Sequence, residues 1–308
     1  MSVVAASLVD ELVVPRPSRA RVYLMAARPQ TLTVAVSAVL VGAAAAYREH
    51  PLRMGALAAA LVSAMLIQIG TNLANDVFDA EKGADTHARL GPTRVVQAGL
   101  LSARTVKAAM VVSFALATLA GAYLAAVGGW PIIVIGLASI ASGIAYTGGP
   151  WPLGYNGLGD VFVFAFFGPV AVGGTAWVTT GSFSPLALAA SVPVAAIATA
   201  VLVVNNVRDH ATDRVAGKRT LVVRWGRAFG VAEYRALLVL AYGTPLVLAL
   251  WLRAPWLCAP LATLPLALRA ERVVARESDG AALNTALART AQLLFLYSLL
   301  LAAALVLA

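Results

Sequence analysis

The chain has 308 residues, of which 60% are hydrophobic and 12% charged, with a formal net charge of +9. A mean hydropathy of +0.83, in runs long enough to cross roughly 30 Å of hydrocarbon, excludes a soluble globular protein and points to a polytopic membrane protein. The single cysteine, Cys258, excludes an intramolecular disulfide and a multi-cysteine metal site; inside an apolar run it reads as a buried structural thiol.

Asp10, Glu11, Pro15 and Pro17 break the charged-then-apolar order of a signal peptide. Residues 1–27 are therefore predicted to be a polar arm on the cytoplasmic side, ahead of a single transmembrane unit at 28–308. Apolar runs and their charged or Pro/Gly breaks predict an all-α fold of nine spans. They lie at about 31 to 47, 55 to 75, 105 to 126, 131 to 147, 158 to 179, 185 to 206, 236 to 252, 255 to 268 and 288 to 307. The eighth is short and carries Pro260 and Pro265.

Nine spans put the amino terminus and the loops after spans two, four, six and eight on one side. That side holds all of the 23 Lys and Arg except Arg48, Arg53 and Arg253. By the positive-inside bias it is cytoplasmic, which leaves the carboxyl terminus outside and fits a bacterial inner membrane. All of the 14 Asp and Glu except Glu49 lie there too, which the bias alone does not require and which marks a polar site. The placement of charge, more than the pI of about 10.2, makes the lipid bilayer the partner and excludes nucleic acid.

Span two closes in Asn72-x-x-Asn75-Asp76-x-x-Asp79, with Asp85 beyond it. Span six closes in Asn205-Asn206-x-Arg208-Asp209-x-x-x-Asp213. On a helix Asn72, Asp76 and Asp79 share one face, and so do Asn205, Asp209 and Asp213. Both clusters fall at helix carboxyl ends, where the dipole is negative and further carboxylates are disfavoured unless cations hold them. Oxygen-only ligand sets suit hard cations, and magnesium takes one or two carboxylates together with phosphate oxygens. Two such clusters facing each other would hold magnesium ions with a diphosphate between them.

Between them lies a loop, Tyr146 to Asp160, with five glycines and two prolines, which cannot continue a helix. Tyr146, Tyr155 and Asp160 stand at its ends. By the topology all three face the cytoplasmic end, where they are candidates to contact substrate. Candidate diphosphate clamps are Lys82, Arg94, Arg208, Lys218 and Arg219, since Arg contacts phosphate bidentately and Lys acts as a point charge.

Four segments carry a family resemblance. They are Arg28-Pro29-x-Thr31-Leu32, the stretch from Asn72 through Asp85 to Gly99, the loop from Ala145 to Asp160, and Asn205 through Arg219-Thr220-Leu221. In order and spacing the chain resembles the UbiA superfamily of intramembrane prenyltransferases, and within it the 1,4-dihydroxy-2-naphthoate prenyltransferases of menaquinone synthesis. The resemblance implies a bundle around a central cavity that opens to lipid and is capped by cytoplasmic loops. It also implies magnesium-dependent transfer of a polyprenyl group from polyprenyl diphosphate to an aromatic acid, with loss of carbon dioxide in the naphthoate case. Carried onto this sequence, Asp76, Asp79, Asp85, Asp209 and Asp213 would bind metal, Asn72 and Asn206 would be neutral ligands or orienters, and Tyr146, Asp160, Arg208 and Lys218 would serve catalysis. Other acceptors (4-hydroxybenzoate, homogentisate, a tetrapyrrole) fit the same donor site. A transporter would place ionisable groups near mid-membrane or on both sides, and this chain concentrates them on one.

Overall fold

The computed structural model describes residues 17–84 and 90–308; Asp85 and Arg89 lie outside the described residues, as do residues 1–16. Every regular element among the described residues is helical. A short helix, α1 (Arg19–Ala27), precedes α2 (Pro29–Glu49), α3 (Met54–Glu81), α4 (Ala103–Gly128) and α5 (Trp130–Ala145). After a loop come α6 (Gly159–Ala165), a π-helical turn at Phe166–Gly173, and α7 (Gly174–Thr180). Then follow α8 (Pro185–Val215), α9 (Leu221–Trp225), α10 (Arg227–Leu252), a 3-10 helix at Pro255–Thr263, α11 (Leu264–Arg276) and α12 (Gly280–Leu307).

Among the described residues seven segments are long and apolar enough to cross a membrane: α2, α3, α4, the stack Gly159–Thr180, α8, α10 and α12. The remaining two expected spans take other forms. α5 has 16 residues, roughly 24 Å of helix at 1.5 Å per residue, less than the hydrocarbon thickness. At the expected eighth span, Pro260 lies inside a 3-10 helix and regular α-helix begins only at Leu264, because each proline removes a backbone donor and clashes with the preceding turn.

The centre of the bundle is α8, which packs against α10, α12, α2 and the π turn. Its inner positions are small or β-branched, among them Ala190, Val194, Ala196 and Ala200, and these meet Ala44 to Ala46 of α2 and Leu293, Leu294 and Tyr297 of α12 in one cluster. In lipid, where apolar burial does not drive association, small residues let helices approach and gain dispersion contacts. Outward residues such as Leu119, Leu137, Val239 and Leu250 are exposed large apolars, as a lipid-facing surface requires. The π turn follows from Pro169. It breaks the ladder, and Gly168 takes non-helical angles (φ −98, ψ −108) where a Cβ would stand 2.5 Å from Ala195 Cβ.

Two helices run past the ends that hydropathy predicts, and both carry a polar motif on the extension. α3 continues to Glu81 and α8 to Val215. They stop in the same way. The amide N–H of Ala84 bonds to Asp79 O and that of Lys218 to Asp213 O, each at 2.9 Å. Gly83 (φ +65) and Gly217 (φ +74) supply the left-handed residue that this helix ending requires.

Candidate active site

A cavity of about 810 Å³ opens between α2, α3, α5, the Gly159–Thr180 stack and α8. Ile135, Phe162, Phe166, Val170 and Val178 contribute an apolar wall, and the ends of α3 and α8 contribute a polar one. Asn72, Asn75 and Asp79 of α3 line it at i, i+3 and i+7, a single helical stripe. Asn205, Asn206, Arg208, Asp209 and Asp213 of α8 line it opposite. The two sequence motifs thus face one space.

Asp79 is the hub. It is 1% exposed, and its Oδ2 accepts from Arg94 Nη2 at 2.8 Å while Oδ1 accepts from the Tyr155 hydroxyl at 2.7 Å. Lys218 Nζ lies 3.5 Å from Asp79 Oδ1 and 3.7 Å from Asp213 Oδ1. One ammonium therefore bridges the last carboxylate of each motif. The Tyr155 ring carries two cations, Lys218 Nζ at 4.9 Å and Lys82 Nζ at 4.8 Å from its centroid. Lys82 also donates to Thr147 O at 2.7 Å. Desolvation lowers its ammonium from the ordinary value; Asp79 opposes that shift and Lys218 adds to it.

Asp209 has a different partner. Arg208 grips it through Nε at 2.8 Å and Nη2 at 2.6 Å, and donates as well to Asn205 Oδ1 and Asn284 Oδ1. Arg208 lines the cavity, but these bonds commit its fork to Asp209 and Asn205 of its own helix and to Asn284 of α12. Asn284 in turn donates to Leu90 O, tying α12 to the loop after α3.

Several expected site residues sit elsewhere. Asp76 is 1% exposed and is absent from the cavity lining; its two oxygens accept from the backbone N–H groups of Val95 and Val96. Arg219 is exposed and off the cavity, and its amide N–H donates to Tyr155 O. Asp160 is buried behind the wall, where Asn206 Nδ2 donates to it at 3.5 Å. Tyr146 lines the cavity, beside Gly154 and Gly159. Asn72 acts as an orienter: its Nδ2 donates to Ala27 O and Thr31 Oγ1, bracing the turn in which Arg28 holds φ +53.

The motifs contain Asn75 and Asn205 without giving either a role, yet Asn75 lines the cavity and accepts from Thr147 Oγ1 at 2.9 Å, and Asn205, Arg28 and Gln68 also line it. The i, i+3, i+7 stripe through Asn75 was the signal available for the first of these. Among the described residues no three acidic, His or Cys side chains already converge as a metal cluster. The donor set is nonetheless oxygen-only, and Lys218 stands as a cation between its two halves, so the residues fit a hard divalent ion.

Residues 35–299 match the UbiA prenyltransferase family. The chain belongs to this family. It is 36% identical to the 1,4-dihydroxy-2-naphthoate octaprenyltransferase of Escherichia coli, over 92% of this chain and 94% of that protein. It is 39% identical to the Mycobacterium tuberculosis protein of the same name, over 92% and 96%. The fold is that of a UbiA homologue from Archaeoglobus fulgidus solved with GPP and Mg2+, with a TM-score of 0.67 at 15% identity, covering 93% of this chain and 100% of that one. As a UbiA prenyltransferase with these apolar helices, the protein is a multi-pass membrane enzyme.

Proposed function

We propose that the protein transfers a polyprenyl group from polyprenyl diphosphate to 1,4-dihydroxy-2-naphthoate, releasing diphosphate and carbon dioxide and giving demethylmenaquinol for menaquinone synthesis. The observation that carries this is the bridge from Asp79 through Lys218 to Asp213, which gathers both Asn/Asp motifs at the polar end of an apolar cavity. The similarity to naphthoate octaprenyltransferases over nearly the whole chain supports the acceptor.

Asp79, Asp209 and Asp213 would hold magnesium, with Asn75, Asn205 and Asn206 as neutral oxygen donors and Asp85 as a further candidate. Bound magnesium supplies charge neutralisation when the carbon–oxygen bond to diphosphate breaks. Arg94 and Lys218 present cations to the diphosphate, Lys82 holds the glycine-rich loop from outside the cavity lining, and Tyr155 keeps Asp79 and the two lysines in register. The aromatic and aliphatic wall receives the prenyl chain and keeps water from the allylic cation. Tyr146 faces that cation, and Asp160 sets the orientation of Asn206. A ring carbon attacks the allylic carbon as the diphosphate departs, and the ring carboxylate leaves as carbon dioxide. The enzyme is one transmembrane unit of nine membrane segments in the bacterial cytoplasmic membrane, with the amino terminus and the active-site loops cytoplasmic.

The test is incubation of membranes carrying the protein with polyprenyl diphosphate and candidate aromatic acids, with and without magnesium, followed by product mass. A magnesium-dependent product with the mass of prenylated, decarboxylated dihydroxynaphthoate is expected. Its absence, with a product from another acid, would overturn the acceptor assignment.

A further inference from the structure

We infer that Asp76, although embedded in the first Asn/Asp motif, is a positioning residue that acts through the backbone of the loop carrying Arg94. Asp76 and Asp79 lie one turn apart on α3, and they hold the same loop at two points. Asp79 takes the guanidinium of Arg94 at 2.8 Å. Asp76 takes the backbone of the next two residues, with Oδ2 to Val95 N at 3.0 Å and Oδ1 to Val96 N at 3.1 Å.

The loop beyond is folded onto itself from that point. Ala98 N bonds to Arg94 O, and Leu100 N to Val95 O. The two N–H groups that Asp76 accepts therefore stand at the open start of a turn, where an anion satisfies donors that have no partner within the turn. Val95 completes the anchor. It is fully buried, in a cluster with Val22, Ala26, Leu73, Val77 and Val106. Arg94 immediately precedes this fixed point, so its direction toward Asp79 and the cavity follows from where Asp76 holds the backbone.

The arrangement also explains why a carboxylate is needed at a position that does not line the cavity. Two adjacent N–H donors call for two acceptor oxygens. An asparagine offers one, and sets its own NH2 against the other donor. Each oxygen of Asp76 is thereby directed at the loop, while Asn75 and Asp79 of the same turn are directed at the cavity.

This inference rests on the magnesium-dependent prenyl transfer proposed above, and the variants separate the two. The purified enzyme is compared with Asp76→Asn, Arg94→Lys, the double variant and Asp79→Asn, for kcat/KM toward prenyl diphosphate and for the magnesium concentration giving half-maximal rate. If Asp76 acts through the loop, Asp76→Asn and Arg94→Lys each lower kcat/KM by roughly tenfold or more, and the double variant falls within about twofold of the worse single one. The half-maximal magnesium concentration then moves in Asp76→Asn no further than in Arg94→Lys, while Asp79→Asn raises it by about tenfold or more. Losses that multiply in the double variant, or a magnesium shift in Asp76→Asn as large as that in Asp79→Asn, would overturn the inference and return Asp76 to the metal ligands. Should Asp76→Asn fail to fold, Asp76→Glu, which keeps both acceptors on a longer arm, enters the same cycle under the same criteria. A magnesium response unchanged in Asp79→Asn would fell the metal reading instead, and the double-variant comparison, which needs no metal assignment, still decides the role of Asp76.

Discussion

The Tyr155 hydroxyl donates to Asp79 Oδ1 at 2.7 Å, and the ring behind that hydroxyl is shared by the ammonium groups of Lys82 and Lys218. One side chain from the glycine-rich loop thus organises an acid of the first motif and the cations that flank it. Tyr155→Phe keeps the ring and loses only the hydrogen bond. A hydrogen bond to a charged group contributes about 1.5–3 kcal/mol, so kcat/KM for the prenyl donor should fall by roughly 10- to 100-fold. Tyr155→Ala removes both interactions and should fall further. Steady-state kinetics of the two variants checks the order; equal losses would show that the hydroxyl, and not the ring, does the organising.

The ending of α8 gives a stability prediction. Gly217 has φ +74 and a Cβ there would meet nothing within 4 Å. Gly217→Ala therefore tests backbone strain without steric clash, and should destabilise by about 1–2 kcal/mol. Asparagine, which tolerates the left-handed region better, should be milder. Thermal unfolding of the detergent-solubilised protein measures both. Lys218 is the next residue, so prenyl transfer should weaken along with the melting temperature.

The proposed orientation rests on the distribution of basic residues. A reporter fused after Arg219 should read as cytoplasmic, because the segment from Arg208 to Arg235 holds seven of the 23 Lys and Arg. A signal from the opposite side would overturn the nine-segment arrangement.

The all-helical membrane fold and the gathering of both motifs at one cavity were legible because they rest on periodicities that survive without coordinates. Apolar runs located the seven described segments long enough to cross a membrane, and the Asn/Asp spacings placed each motif on one helix. Hydropathy ended α3 and α8 too early, since a polar turn lowers the average without breaking the helix; glycine at positive φ does that. Spacing also could not separate Asp76 from Asp79, because residues three apart lie on nearly the same face. The decision belongs to the Val95 and Val96 amides, some twenty residues away in sequence, and no helical period reports them. Arg208 reads as a clamp by its chemistry, yet its partners Asp209, Asn205 and Asn284 include a residue on α12 that only the fold brings near. Asp85 lies outside the described residues and stands as proposed from the sequence.

The central claim is that the two motifs form one diphosphate site. It is tested most directly by binding a prenyl diphosphate analogue that cannot ionise to the purified enzyme, with and without magnesium, and to Asp79→Asn and Asp213→Asn. Binding that requires magnesium and weakens by roughly 100-fold or more in each variant is the expected result. Binding as tight as wild type in either variant, with magnesium present, would contradict it.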